Sequence, residues 1–241
     1  MSRTVRIRPI LAAGLVLLAS ACSGGGDSGK QFFPQTDANP SAEPNATDEP
    51  TSKGKPPKTD APPPNDAEAP KKIKDIEVKP YNARNHVEAP KRVAYDQNPP
   101  FGGNHDANWA TCSGVVYTKA VRNENMVHSL EHGAVWIAYN PDTLPKSGVS
   151  ELAQKVEGVP YMVMSPYPGL DKPVSLQAWG HRLKLDDAGD PRVDEFISTL
   201  KLNKATFPEP GATCDNPYFE QDNPPPFDPS PAPAGSEPVG S

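Results

Sequence analysis

The stretch V-H-S-L-E-H-G-A-V-W-I-A-Y, from Val127 to Tyr139, joins two histidines and a glutamate to an apolar run that follows them directly. A strand that is apolar on both faces is covered on both sides in the folded protein. We therefore predict that residues 132–139 form an inner strand of a sheet, with the polar residues at its start. The apolar residues are Val135, Ile137 and Tyr139 on one face, and Ala134, Trp136 and Ala138 on the other.

Patterns on either side of this run predict the rest of the fold. Serine caps, a glycine stop and a proline in the first turn indicate two helices, and short apolar runs indicate the strands. From residue 132 onward the order is β-α-β-β-α, which indicates a single two-layer α+β domain whose sheet is backed by helices. The expected elements are strands at 113–117, 161–165 and 174–185, a helix from Ser147 or Ser150 to Val156, and a helix that starts at Asp190-Pro191.

Prolines mark where this domain begins and ends. Of the 32 prolines, eleven lie in residues 31–80 and ten in residues 208–241. Segments of this composition bury too little apolar surface to offset their ordering entropy. We therefore predict a folded domain at 79–222 between a disordered linker, within 22–78, and a disordered tail at 223–241. The net charge is −6, with no block of like charge in the predicted domain, which argues against a nucleic-acid partner.

The N-terminus has the composition of an export signal. Arginines at positions 3, 6 and 8 precede an apolar run from Ile10 to Leu18, and small residues then lead to Cys22. The sequence L-A-S-A-C resembles a bacterial lipobox, in which the cysteine thiol receives a diacylglycerol. We predict a signal peptide at 1–21 and an extracytoplasmic protein that is anchored to the cell membrane by lipid on Cys22. Plain secretion after cleavage at A-S-A is the alternative.

The chain has three cysteines, and lipid on Cys22 would leave Cys112 and Cys214 as a pair. We predict a disulfide between them, since exported proteins fold in an oxidising space. It would close a loop of about 100 residues and stabilise the domain by on the order of 4 kcal/mol. A redox-active or metal-binding thiol is the alternative, although no C-x-x-C motif supports it.

Three of the five histidines, His105, His128 and His132, fall within 28 residues. His105 lies in a loop rich in glycine and asparagine, whose backbone is free to bring it near the other two. Together with Glu131, these side chains match the ligand preferences of zinc or copper. We therefore predict a metal site made by His105, His128, His132 and Glu131. The alternative is structural: the histidines hydrogen-bond loop backbone and lock the start of the inner strand.

The spacing H-x-x-E-H is also the inverted zincin pattern, in which both histidines bind zinc and the glutamate acts as base. That chemistry requires a helix, because side chains at i and i+4 then share one face. Gly133 and the strand-like run follow at once, and residues 122–127 offer little more than one helical turn. A zinc hydrolase with Glu131 as base is therefore our third hypothesis, and we favour a binding protein over an enzyme.

Other candidate ligands are weaker. Met162 and Met164 share a strand face, as in thioether copper sites, but paired methionines on a strand usually belong to the core. His181 lies near the middle of a predicted strand. It could be a fourth ligand, but the simpler interpretation is a half-buried polar residue. His86 lies in a polar lead-in, and we expect it to be exposed.

Three stretches resemble a known family: N-P-P-F-G-G-N-H-D-A-N-W-A-T-C-S-G-V-V-Y at 98–117, V-H-S-L-E-H-G-A-V-W-I-A-Y at 127–139, and L-Q-A-W-G at 176–180. They are similar to the bacterial family catalogued as domain of unknown function 3105 (DUF3105), whose members are commonly exported or membrane-anchored in actinobacteria. Gly103 departs from the family pattern, which usually has serine there. The resemblance implies an exported or anchored protein and adds no chemistry, because the family has no established activity. The matching positions are His105, Trp109, Cys112, Gly114, Tyr117, His128, Glu131, His132 and Gly133.

Overall fold

The computed structural model describes residues 64–240. The predicted signal peptide, Cys22 and most of the predicted linker lie outside the described residues. Within residues 64–240, no helix is both long enough and apolar enough to cross a membrane. The elements of this region, in chain order, are a 3-10 helix (Pro70–Lys72), β1 (Glu77–Val78), β2 (His86–Val87), β3 (Val93–Ala94), β4 (His105–Asp106), β5 (Ser113–Val116), α1 (Asn123–Glu131), β6 (Val135–Tyr139), α2 (Lys146–Val156), β7 (Met162–Pro166), β8 (Val174–Ala178), β9 (His181–Leu185), α3 (Arg192–Leu200) and β10 (Glu237–Pro238).

Six strands form one mixed sheet in the order β1-β9-β8-β6-β7-β5. β6 lies between β8, which is antiparallel to it, and β7, which is parallel to it and is reached through α2. Four of the five residues of β6 are buried, so the apolar run is an inner strand, as predicted. The α+β class and the single domain are likewise confirmed.

Helices cover both faces of the sheet. α2 and α3 pack on the face that carries Ile137, where Leu152 and Phe196 belong to the same apolar cluster. α1 packs on the opposite face, where Leu130 belongs to the cluster around Trp136. The sequence predicted α2 and α3 but not α1, so the helix on the Trp136 face is an addition to the predicted fold.

Gly133 ends helix α1. Its φ is +91°, a conformation that glycine adopts without strain. Its N–H donates to the carbonyl of Leu130, and the N–H of Ala134 donates to that of Ser129, which is the hydrogen-bond pattern of a glycine C-cap. A Cβ at Gly133 would lie 2.6 Å from the Phe207 ring, so packing also requires glycine. We interpreted this glycine as the start of a strand, which is wrong: it terminates a helix.

Residues 174–185 form a hairpin rather than the single strand that we predicted. β8 and β9 are antiparallel neighbours, and Ala178 pairs with His181 across a two-residue turn. The second turn residue, Gly180, has a φ of +71°, which allows the chain to reverse. The dipeptide Trp179-Gly180 is therefore the turn signal within an otherwise strand-like run.

The folded region extends beyond residues 79–222 at both ends. Upstream, β1 pairs with β9, and Ile73 is buried in the core. Downstream, β10 pairs in parallel with β3, and the N–H of Asn104 donates to the carbonyl of Val239 at 2.8 Å. This packing differs from the disordered tail that we predicted for residues 223–241. Proline has no N–H, which disfavours regular structure, but its carbonyl still accepts hydrogen bonds from a folded surface.

Candidate metal centre

The last turn of α1 and the residue after it carry three of the four predicted ligands. His128, Glu131 and His132 are spaced i, i+3 and i+4, so they project from one side of the helix end. His132 is the C-cap with helical dihedral angles, and its ring centroid lies 4.6 Å from that of His128. The helix that the H-x-x-E-H pattern requires is therefore present, contrary to our interpretation of Gly133.

Two short strands bring His86 and His105 to the same place. β2 and β4 are parallel, and their register pairs His86 with His105. The ring centroids of His86 and His105 lie 4.8 Å and 4.7 Å, respectively, from that of His128. His86 is exposed, as predicted, but its place beside the other rings was missed. A two-residue strand leaves no periodic pattern by which sequence reasoning could have found it.

Four side chains form what we name the inner cluster: His86, His105, His128 and Glu131. One ligand atom from each lies within 4.8 Å of all the others. The side chains of His105 and Glu131 are 0% and 1% exposed, whereas that of His86 is 48% exposed. The inner cluster is thus buried at the helix and open to solvent at His86.

His132 belongs to a second set, the outer cluster, which consists of His128, His132 and Glu209. Its three ligand atoms also lie within 4.8 Å of one another. The Nε2 atom of His132 is 3.6 Å from Oε2 of Glu209, whose side chain is 44% exposed. The set predicted from the sequence is therefore divided: His105 and Glu131 lie in one cluster, His132 lies in the other, and His128 is shared. Glu209 was missed because it lies after α3, far along the chain from the histidines.

Three of these histidines are held by the same kind of hydrogen bond, from Nδ1 to a main-chain carbonyl. A carbonyl only accepts, so each Nδ1 carries a proton, and in the neutral form of each ring Nε2 is the nitrogen that keeps a lone pair. Metal-binding histidines are commonly oriented in this way. The bonds are those expected of the loop-locking alternative, and they also leave three ligand atoms available. The pairs are His105–Gly103 at 2.7 Å, His128–Asp106 at 2.6 Å and His132–Thr213 at 2.7 Å.

The closest pair of ligand atoms is Nε2 of His105 and Oε2 of Glu131, which lie 2.8 Å apart in the interior. The contact lacks hydrogen-bond geometry, and neither atom has a hydrogen-bond partner among residues 64–240, although Nε2 of His86 lies 3.8 Å from the same oxygen. Buried polar atoms without partners are rare because they are costly. Ligand atoms that share a tetrahedral zinc ion lie about 3.3 Å apart with their lone pairs directed at the ion. At 2.8 Å the two atoms are closer than two ligands of one zinc ion, so they would have to separate by about 0.5 Å to share it.

Residues 86–216, more than half of the chain, match the family described as protein of unknown function (DUF3105). The chain belongs to this family. The matched region begins at His86 and contains both clusters and the cysteine pair. Comparisons with curated proteins and with solved structures found no match to the chain.

Gly103 lies two residues before His105 in this DUF3105 domain. Its φ is +96°, and a Cβ there would clash with the carbonyl oxygen of Val239. Its own carbonyl accepts the hydrogen bond from Nδ1 of His105. Glycine at this position thus lets the C-terminal segment pack directly against the loop that holds His105.

Burial keeps the shared histidine of the DUF3105 domain neutral. The pKa of His128 is lowered to about 3, first by burial and then by the neighbouring imidazoles of His105 and His132. Burial also lowers the pKa of His132, although its bond to Thr213 and the nearby Glu209 oppose the shift. Both rings are therefore neutral at pH 7, and their Nε2 lone pairs can bind a metal without first losing a proton.

The predicted disulfide between Cys112 and Cys214 is present, and it holds the segment that completes the outer cluster. Thr213, which precedes Cys214, accepts the hydrogen bond from His132. In the same segment, the N–H of Glu209 donates to the last carbonyl of α1 at 3.3 Å. The disulfide and these bonds fix the segment against the end of the helix.

Asp106 positions His128 through both its main chain and its side chain. Its carbonyl accepts the bond from Nδ1 of His128, and its carboxylate forms an ion pair with Arg122. Arg122 is itself held by Glu124 at 3.2 Å and by a bond to the carbonyl of Lys91. Contacts behind the ligands commonly tune metal affinity, so this network is part of the candidate site.

The weaker candidates lie away from both clusters. Met162 and Met164 are fully buried in the apolar core on the α2 side of the sheet. His181 donates from Nδ1 to the carbonyl of Trp179 at 2.7 Å, but it belongs to neither cluster. The methionines are therefore packing residues, and His181 is a buried polar residue at the hairpin turn.

Proposed function

We propose that this protein binds one divalent transition-metal ion, zinc or copper(II), through the inner cluster. The observation that carries the proposal is the convergence of four ligand atoms within 4.8 Å. Two of these atoms are buried without hydrogen-bond partners among the described residues. Three imidazoles and one carboxylate form a ligand set that suits both ions. Copper(I) is disfavoured, because it selects sulfur ligands and the two clusters contain only histidine and glutamate.

Titration of the untagged mature protein with zinc and copper(II), after treatment with a chelator, tests this proposal. We expect one ion per chain, and we expect His105→Ala and His128→Ala each to weaken binding by about tenfold or more. His181→Ala is the matched control, because it removes a buried imidazole with the same type of hydrogen bond from outside the clusters. Unchanged affinity in His105→Ala would overturn the proposal.

A purely structural role for the histidines predicts a different outcome. If the bonds from Nδ1 to the main chain are their whole function, the alanine variants lose stability, and neither ion changes the unfolding temperature of the wild-type protein. If an ion binds the folded state, it stabilises that state by about 2.7 kcal/mol at a hundred times its Kd. Thermal unfolding with and without metal separates the two roles.

A zinc hydrolase is the second candidate function, and one observation favours it: α1 presents His128, Glu131 and His132 on a helix end. In that mechanism both histidines bind zinc and the glutamate acts as base. However, Oε2 of Glu131 lies 2.8 Å from the buried Nε2 of His105, which supports the role of a ligand over that of a base. A hydrolase would lose peptide or ester hydrolysis in Glu131→Gln and keep its zinc. We expect instead that Glu131→Gln weakens zinc binding.

We further propose that the domain works outside the cytoplasm, tethered to the membrane by lipid on Cys22. The export signal and the L-A-S-A-C sequence support this location. The disulfide also supports it, because such bonds persist in oxidising compartments. Mass spectrometry of membrane-derived protein should find an acylated N-terminal Cys22, and Cys22→Ser should release the protein from the membrane fraction. An unmodified N-terminus at Cys22 would indicate plain secretion instead.

A further inference from the structure

His128 belongs to both clusters but can bind only one ion at a time. Its Nδ1 donates to the carbonyl of Asp106 at 2.6 Å, so Nε2 is its one remaining ligand atom. That nitrogen has a single lone pair in the ring plane, which is directed at one ion. The inner and outer clusters are therefore alternative positions for one ion rather than two independent sites.

We propose that the ion exchanges with the outside through the outer cluster and stays bound to His128 while it moves between the two positions. This inference rests on the proposed function and adds the path by which the ion reaches the inner cluster. In the outer position, the ligands are His128, His132 and Glu209. As the ion moves inward, it exchanges the last two ligands for the other members of the inner cluster.

Each position has one exposed side chain, His86 at 48% in the inner cluster and Glu209 at 44% in the outer cluster, so it is charge that distinguishes the two. The outer carboxylate, on Glu209, is 44% exposed and can attract a divalent cation from solvent. The inner carboxylate, on Glu131, is 1% exposed and lies against the buried ring of His105. The outer position offers three ligands and the inner position four, of which two are buried, so the outer position should hold the ion more weakly. The outer position therefore suits uptake and release, and the inner position suits retention.

The distances permit transfer without dissociation. The ring centroid of His128 is 4.6 Å from that of His132 and 4.7 Å from that of His105. An ion that keeps its bond of about 2 Å to Nε2 needs to move by only a few ångströms. Exchange of one ligand at a time also avoids a bare cation in a buried site, for which the cost of desolvation would be high.

Cobalt(II) is the probe for this route, since it occupies zinc sites and its visible absorption depends on the ligand set. We expect the wild-type protein to bind one Co²⁺ ion. His105→Ala disrupts the inner position, so we expect weaker binding with a changed spectrum. Adding His132→Ala to His105→Ala should abolish binding, because both positions are then incomplete.

Exchange rates test whether the ion enters and leaves through the outer cluster. In Glu209→Gln and in His132→Ala, we expect Co²⁺ uptake and extraction by EDTA both to slow. We set the size at about tenfold, because loss of one supporting contact at a metal site weakens metal affinity by about that factor or more. The ratio of the two rates should change much less, because the inner cluster is intact. Glu209 is half-exposed, so Glu209→Gln keeps the test valid if His132→Ala fails to fold. His181→Ala is again the control and should exchange at the wild-type rate.

The outcomes separate this inference from the proposed function. Failure of the wild-type protein to bind Co²⁺, zinc and copper(II) alike would overturn both. Two Co²⁺ ions per chain, or wild-type exchange rates in Glu209→Gln, would overturn the route and leave the proposed function intact. Slower exchange in His86→Ala together with wild-type rates in Glu209→Gln would place the route at the exposed side of the inner cluster, which also overturns the inference.

Discussion

The two faces of the main sheet are stabilised in different ways. On the Ile137 face, α2 and α3 cover the strands with apolar side chains from regular elements. On the Trp136 face, α1 is joined by irregular segments that are held by a disulfide, ion pairs and hydrogen bonds to main-chain carbonyls. The candidate metal centre lies at the end of α1, among these segments. Both faces bury an apolar cluster, and on the Trp136 face the cross-links between loops add stability and also fix where the histidines point.

Removal of the disulfide should give the largest effect. The variant Cys112→Ser/Cys214→Ser loses a cross-link between residues that are 102 positions apart. We expect its free energy of unfolding to fall by about 4–5 kcal/mol. Metal affinity should fall as well, because the bridge holds loops on the site face. Urea unfolding and zinc titration measure the two effects. A variant with wild-type values for both would show that the disulfide neither stabilises the domain nor holds the loops of the site.

A cavity on the opposite face should reduce stability without touching the site. Leu152 is fully buried in α2, and Leu152→Ala should cost about 3 kcal/mol through lost contacts and the cavity left behind. We expect the zinc affinity of the folded protein to stay at the wild-type value. A tenfold change in that affinity would show that the two faces are coupled.

Substitution of the helix-ending glycine should have an intermediate effect. Gly133→Ala places a side chain at positive φ and against the Phe207 ring, and we expect a loss of about 2 kcal/mol. Gly158→Ala is the matched control, since Gly158 has a φ of +68° and a Cβ added there would have no neighbour within 4 Å. The control should lose only about 1 kcal/mol, from backbone strain alone. If urea unfolding shows that the two variants lose the same free energy of unfolding, the contact with Phe207 does not add to the cost at Gly133.

The smallest predicted effect is a dependence of stability on pH in the metal-free protein. The pKa of His128 is lowered to about 3 in the folded state, compared with about 6.5 in the unfolded chain. Between these values the unfolded chain binds a proton that the folded protein does not, so stability falls as the pH decreases through 6.5. We expect a loss of about 1 kcal/mol between pH 7 and pH 5.5.

His128→Gln provides the control for this measurement. Its stability should depend less on pH than that of the wild-type protein, and the remaining dependence should come from His132 and His181, whose pKa values are also lowered by burial. Urea unfolding with a chelator present measures both proteins. An identical pH dependence in the two would contradict the buried, neutral state of His128.

The parts of the fold that were predicted are those in which apolar residues recur regularly. β6, α2 and α3 have such patterns, and the structure contains all three. α1 was missed because every residue after Asn123 in it is buried, polar side chains included, so its faces do not differ in polarity. Gly133 was the available signal, since glycine commonly follows the last residue of a helix.

Only the part of the candidate site whose residues lie close together in the sequence could be predicted. His105, His128 and Glu131 were found because histidines are dense in one window, and the structure brings these three together. His86 reaches them through the pairing of β2 with β4, and Glu209 reaches His128 through the segment held by the disulfide. Such contacts depend on the folded chain and leave no motif at either residue.

The contact between Asn104 and Val239 has a consequence for proteolytic processing. It joins the C-terminal segment to the residue next to His105. That segment follows the surface with many exposed residues, so a protease can reach it without unfolding the sheet. Cleavage there would remove a contact that holds the loop of His105. Proteolytic removal of the C-terminal segment would thus change the setting of His105 while the main sheet stays folded.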